Sequence, residues 1–151
     1  MRSRWLLLQL FALFVIVVCT FPATGLAKEQ FRISVDTILA SRQGQGVDPQ
    51  LKRHVGELQS MFNYTSYQLL SSERLNLKKG QSGTVSLPGG RRLKITPHRI
   101  RGKRAEIALR MMKKKRTVFQ TQVQLLNHAS LFVGGPKHKN GNLIFKISGD
   151  Y

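Results

Sequence analysis

Hydrophobic and polar positions alternate along most of this chain. Phe31, Ile33 and Val35 are separated by Arg32, Ser34 and Asp36, a period of two that predicts a half-buried strand running to about Ala40. The segment Ser41-Arg42-Gln43-Gly44-Gln45-Gly46 then reads as a loop. The period lengthens after it. Leu51, Val55, Leu58 and Phe62 follow one another at spacings of four, three and four, which sets them on one face of a helix that should pack on a sheet. Asp48 is suited to cap that helix and Pro49 to open it, because proline has no N–H to leave unsatisfied there. Gly56 weakens the helix, and Asn63 is its expected stop. His54 falls on its polar side.

From Tyr64 onward short alternating runs are punctuated by Gly, Pro and Asn, which predicts antiparallel strands. These are placed near Tyr67–Leu70, Leu75–Lys78, Thr84–Leu87, Arg92–Pro97, Ala105–Met112, Thr117–Leu126, Ala129–Val133 and Leu143–Ile147. Pro88-Gly89-Gly90 and Arg101-Gly102-Lys103 are the expected turns, and Lys113–Arg116 the tip of a further hairpin. Leu93 and Ile95 point inward, as do Ala105, Ile107, Leu109 and Met111; Phe119, Val123 and Leu125; and Leu143, Phe145 and Ile147. Arg92, Lys94, Arg104, Glu106, Arg110, the glutamines of the next strand, Ile144 and Lys146 point outward. The fold class that follows is α+β, a mostly antiparallel β-sandwich or open barrel with one amphipathic helix.

The N-terminus departs from this pattern. Arg2 and Arg4 precede an apolar run from Trp5 to Val18 broken only by Gln9, and Gly25 and Ala27 supply the small residues that signal peptidases require. Residues 1–27 are therefore read as a signal peptide cleaved after Ala27, and residues 28–151 as a single globular domain, periplasmic or secreted. The stretch Leu6–Phe21 is short for a membrane anchor, which needs about 20 apolar residues, so no transmembrane segment is expected after cleavage. Ile16-Val17-Val18 are too bulky before Cys19 for a lipid-attachment site.

Composition narrows the chemistry. Cleavage would remove two arginines and no acid, leaving 23 basic and 7 acidic residues, a net charge near +16. The only cysteine lies in the signal, which excludes disulfide scaffolds, thiol catalysis and zinc-thiolate sites from the exported part. Charge of this size attracts polyanions over long range.

The charge is concentrated. Arg91, Arg92, Lys94, Arg99, Arg101 and Lys103 are followed by Arg104, Arg110, Lys113, Lys114, Lys115 and Arg116, within 26 residues that hold one acid, Glu106. Side by side on a sheet these cations would hold phosphate or carboxylate by charge-assisted hydrogen bonds; a merely solvated, solubilising face is the alternative. No aromatic residue lies between Arg91 and Arg116 to stack on bases, which argues against nucleic acid.

The glycine-containing segment Gly134–Gly141 could present N–H groups, Lys137 and Lys139 to an anion, but it lacks the ending of a nucleotide P-loop. The structural reading is favoured, a loop with Asn140-Gly141 supplying positive φ. His54, His98, His128 and His138 have no metal-binding spacing, and no cofactor motif is present. HExxH, GxSxG and paired carboxylates are absent too, so the sequence reads as a non-enzyme.

The order of Ile38-Leu39-Ala40-Ser41, Val47-Asp48-Pro49, Phe62–Tyr67, Leu87–Arg91, Val133–Pro136 and Gly141–Ile144 resembles that of small exported proteins of Gram-negative bacteria. The resemblance implies the periplasm as destination and implies no activity. Two partner classes follow from these readings: an anionic envelope polymer or lipid headgroup on the basic β-face, or an envelope protein that pairs with an exposed strand edge in a secretion or envelope assembly. A cationic antimicrobial protein is a third.

Overall fold

The first alternating run explains the layering. In a computed structural model, which describes residues 29–151, β1 (Gln30–Ser41) buries Phe31, Ile33 and Val35 on one face and Ile38 and Ala40 on the other. A strand buried on both faces needs a second sheet on one side and a cover on the other. The predicted signal peptide and its cleavage after Ala27 lie outside the described residues.

The chain continues through β2 (Gly46–Val47), a 3₁₀ turn (Pro49–His54), α1 (Val55–Met61), β3 (Ser66–Lys78), β4 (Gly83–Leu87), β5 (Arg91–Arg101), β6 (Arg104–Lys113), β7 (Arg116–Leu126), β8 (Ala129–His138) and β9 (Gly141–Asp150). Five strands form one sheet in the order β2-β3-β1-β9-β8, and four form the other in the order β4-β5-β6-β7. All pairings are antiparallel except the two-residue β2–β3 contact. The fold is α+β, a sandwich of curled sheets with one short helix. No helix of the described residues is long and apolar enough to cross a membrane.

The main core lies between the sheets. Phe31, Ile33, Val35, Leu143, Phe145 and Ile147 of the first sheet meet Leu93, Ile95, Ile107, Leu109 and Met111 of the second. The inward positions expected on β5, β6 and β9 are fully buried. The first and last strands pair along their length, from Arg32↔Asp150 to Ser41↔Gly141.

A smaller core lies on the outer face of the five-stranded sheet, where Leu51 and Leu58 cover Ile38, Ala40, Tyr67, Phe132 and Ile144. Asp48 caps as expected, its Oδ1 accepting the Gln50 N–H at 3.0 Å. The helix itself differs from expectation. Its first six residues are 3₁₀, and the α-helical part ends at Met61. Leu51 in the 3₁₀ part and Leu58 in the α-helical part are the residues of this segment buried against the sheet. Ile144, expected on the solvated face, is buried by this cover. His54, expected on the polar side, packs edge-on against Phe132 at 5.9 Å, and partial burial lowers its pKa, with Lys146 and Arg53 adding to the effect.

Several strand assignments change. β5, expected to end at Pro97, runs on to Arg101 past an irregularity between Pro97 and Arg99, and Gly46, expected in a loop, begins the two-residue β2. The two runs at Tyr67–Leu70 and Leu75–Lys78 are one strand, β3, because β1 pairs with the polar residues between them and the Ser72 hydroxyl donates to Asp36 at 2.6 Å. The segment Gly134–His138, expected as loop, extends β8 through an irregularity between Gly134 and Lys137. Pro136 is tolerated there because β8 is an edge strand. A Cβ on Gly135 would lie 2.6 Å from the Phe145 ring, so this glycine serves close packing. The positive φ of the following turn belongs to Lys139, at 49°.

Candidate functional site

Strand alternation turns Arg92, Lys94 and Arg110 onto the outer face of the four-stranded sheet while Leu93, Ile95 and Leu109 fill the core beneath. The register places Lys94 directly opposite Arg110, with Arg92 opposite Met112 in the next outward row. On the flanking strands the Lys94–Arg110 row continues as Thr84 and Gln120, so its four positions hold two cations and no acid. Like charges facing each other across strands cost up to about 1 kcal/mol, a tension that a bound anion would relieve.

The far end of the same sheet is arranged differently. Arg101 and Arg104 also face each other, but Glu106 sits beside them. Its Oε2 accepts from Arg99 Nε at 2.6 Å and from Gln122 Nε2 at 3.3 Å, and its Oε1 lies 3.3 Å from Arg101 Nε. The Arg99 hydrogen bond, helped by the charges of Arg99 and Arg101, holds the Glu106 carboxyl below the usual carboxylate range against the opposing effect of burial. Glu106, expected to point out to solvent, is only 6% exposed because these side chains fold over it. Arg104 Nη1 is 3.4 Å from Gln124 Oε1. Lys103 lies in the turn, where its carbonyl accepts from the Tyr151 hydroxyl at 2.9 Å and ties the C-terminus to the sheet.

The near end is a basic pole. Register brings Arg91, Lys113 and Arg116 side by side, with Lys114 and Lys115 in the turn between β6 and β7. Arg91 shares its strand parity with the inward-facing Leu93. Its guanidinium reaches back to the Pro88 carbonyl at 3.3 Å and across to the Lys137 carbonyl on β8 at 3.2 Å. The single electropositive surface expected from Arg91 to Arg116 is thus divided. Arg92, Lys94 and Arg110 stand on the face, Lys113–Arg116 form the tip, Arg91 bridges the sheets, and Arg101, Lys103 and Arg104 lie at the end where Glu106 pairs with Arg99 and Arg101.

Beside the tip, Val118 is 50% exposed where β7 carries one residue more than its partner, between the Met111 and Met112 pairings. The tip therefore combines four cations with an apolar side chain. Alternation alone could not show this, because the extra residue resets the pattern.

Among the described residues no group of three or more His, Cys, Asp or Glu is placed to hold a metal ion. Asp36 accepts from Lys146 Nζ at 3.1 Å and from the Ser72 hydroxyl at 2.6 Å. No family model matches the chain, and no curated protein or solved structure matches it either.

Proposed function

We propose that this protein is a non-enzymatic exported domain, periplasmic or secreted once residues 1–27 are removed, that binds an anionic envelope component through the basic face and tip of its four-stranded sheet. One observation carries the reading: Lys94 faces Arg110 without an acid in the row, whereas at the far end of the same sheet Arg99 and Arg101 are both paired with Glu106. Cations paired with an acid at one end of the face and left open at the other favour a bound anion over a face that is only solvated. Phosphate or carboxylate oxygens are the groups that such a pair binds best. The Lys113–Arg116 tip adds charge at the edge of the face.

The test is binding of the purified protein, expressed as the full chain, to lipopolysaccharide, anionic vesicles and DNA at low and at near-physiological salt. Selective binding to one envelope ligand that survives salt and drops about tenfold in Lys94→Gln/Arg110→Gln supports the reading. Uniform binding that vanishes with salt overturns it.

A second reading rests on β7. This strand ends its sheet, and from Thr117 to Leu126 it carries no charge, proline or glycine. Val118 and Leu126, at its two ends, are 50% and 45% exposed. Natural sheets blunt such edges with charge, proline or shortness, as β8 does with Pro136 and β4 with its five residues. An envelope protein could add a strand here. Crosslinked partners that persist in high salt and disappear in Gln122→Lys would favour this reading over the first.

A further inference from the structure

A different basic cluster forms outside the Arg91–Arg116 stretch. Arg42 follows β1, Lys137 lies at the end of β8 and Lys139 in the turn between β8 and β9. Because β1 and β9 pair as far as Ser41↔Gly141, that turn is brought beside Arg42. Ser41 Oγ fixes the approach by donating to the Asn140 carbonyl at 3.3 Å, 99 positions away in sequence. With Tyr64, Asn140, Gly141 and Asn142, these three cations line an open cleft of about 380 Å³. Its volume falls within the range of about 300–1,000 Å³ that small-molecule sites occupy. No acidic residue lines it.

The walls of the cleft are held in place. Arg42 Nε donates to the Asn63 carbonyl at 3.2 Å, which orients the guanidinium and leaves its terminal nitrogens for a ligand. The Tyr64 ring stands edge-on to Tyr67, with centroids 6.5 Å apart and an interplanar angle of 88°. Tyr67 is itself buried, its hydroxyl donating to the Phe62 carbonyl at 2.7 Å. Gly141 approaches β1 so closely that a Cβ would lie 2.2 Å from the Ala40 carbonyl oxygen.

Cations alone would take any anion. The addition of an aromatic ring and two carboxamides asks for more: a ring with an apolar C–H face for Tyr64, hydroxyls for Asn140 and Asn142, and a negative group for Arg42, Lys137 and Lys139. We infer that this cleft binds an acidic saccharide, a sugar carrying phosphate or carboxylate. The inference does not rest on the reading of the four-stranded face, since no residue of that face lines the cleft.

The experiment is a titration of the isotopically labelled protein, purified from full-chain expression, followed by amide chemical shifts. The probes are glucose 6-phosphate, glucuronate, glucose and inorganic phosphate. Glucose 6-phosphate or glucuronate should shift the amides of Tyr64, Lys139, Gly141 and Asn142 and bind at least about fivefold more tightly than inorganic phosphate, while glucose leaves them unmoved. The stronger of the two acidic sugars identifies the charged group. Arg42→Gln should weaken binding about tenfold, and Tyr64→Leu should remove the preference over inorganic phosphate. Lys114→Gln/Lys115→Gln, which alters the other site, should leave the affinity unchanged. Equal affinity for sugar phosphate and inorganic phosphate, shifts centred on the Lys113–Arg116 tip, or no shift at millimolar ligand would each overturn the inference.

Discussion

The Arg91 guanidinium, at the start of β5, donates to the carbonyl oxygen of Lys137 on β8 at 3.2 Å and joins the two sheets at the basic pole. The same side chain donates to Pro88 in the turn that precedes it. One cation of a strongly basic segment is therefore spent on architecture. It holds the β4–β5 turn and the end of β8 together, beside the Lys113–Arg116 tip on one sheet and the Arg42 cleft on the other.

Arg91→Ala should accordingly act on stability more than on binding. Loss of two charged hydrogen bonds to carbonyls in a half-exposed position should cost about 1–2 kcal/mol in urea unfolding. Affinity for anionic vesicles should change less than about twofold, against a larger loss for Lys114→Gln/Lys115→Gln.

Glu106 should give the fold a dependence on acid. Its carboxyl titrates below its unfolded value because Arg99 and Arg101 hold it ionised. That stabilisation is complete above the unfolded carboxylate pKa, about 4.3, and is lost as pH falls through the lower folded value. Unfolding measured from pH 7 down to pH 3 should show stability falling across this window. Glu106→Gln should flatten the fall and, by releasing Arg99 and Arg101, should strengthen binding of anions at that end of the sheet.

Thr37 lies in the core between the sheets, fully buried, and its hydroxyl has no hydrogen-bond partner; that of Ser71, opposite it in register, has none either. Thr37→Val keeps the shape and removes a buried polar group. It should stabilise by about 1 kcal/mol, read as a rise of about 3–5 °C in Tm.

Two glycines should respond in opposite directions to alanine. At Gly141 the added Cβ meets the Ala40 backbone, so Gly141→Ala should cost about 2 kcal/mol or more by forcing β9 from β1. At Gly56, in α1, nothing lies within 4 Å of the added carbon, and Gly56→Ala should gain about 0.5–1 kcal/mol. Thermal unfolding of the pair compares a close strand approach with a helix-propensity effect in one protein.

The inward core positions of β5 and β6 were legible in sequence, because each strand turns one apolar face to the core and the period of two survives there, whereas the buried Glu106 and the extra residue Val118 on β7 were not. Leu93 and Ile95, or Ile107, Leu109 and Met111, could be assigned inward without any knowledge of their partners. The reading failed where burial or pairing comes from an element distant along the chain. Ile144 stands at a position that alternation turns outward, and only the helix laid over that face makes it core. Ser71 to Arg74 read as a break because nothing in their chemistry announces a strand; pairing with β1 makes them one.

The candidate sites divide in the same way. Local sequence determined the two-residue period, the Asp48 cap, the hairpin turns and the density of cations between Arg91 and Arg116, since each depends on neighbours a few positions away. Tertiary structure decided which cations stand together. Cross-strand register set Lys94 against Arg110, a hydrogen bond to another sheet withdrew Arg91 from the face, and the pairing of the first and last strands brought Arg42 to Lys137 and Lys139. These relations join residues far apart along the chain, and a charge in sequence carries no record of the backbone it will face once the sheets close.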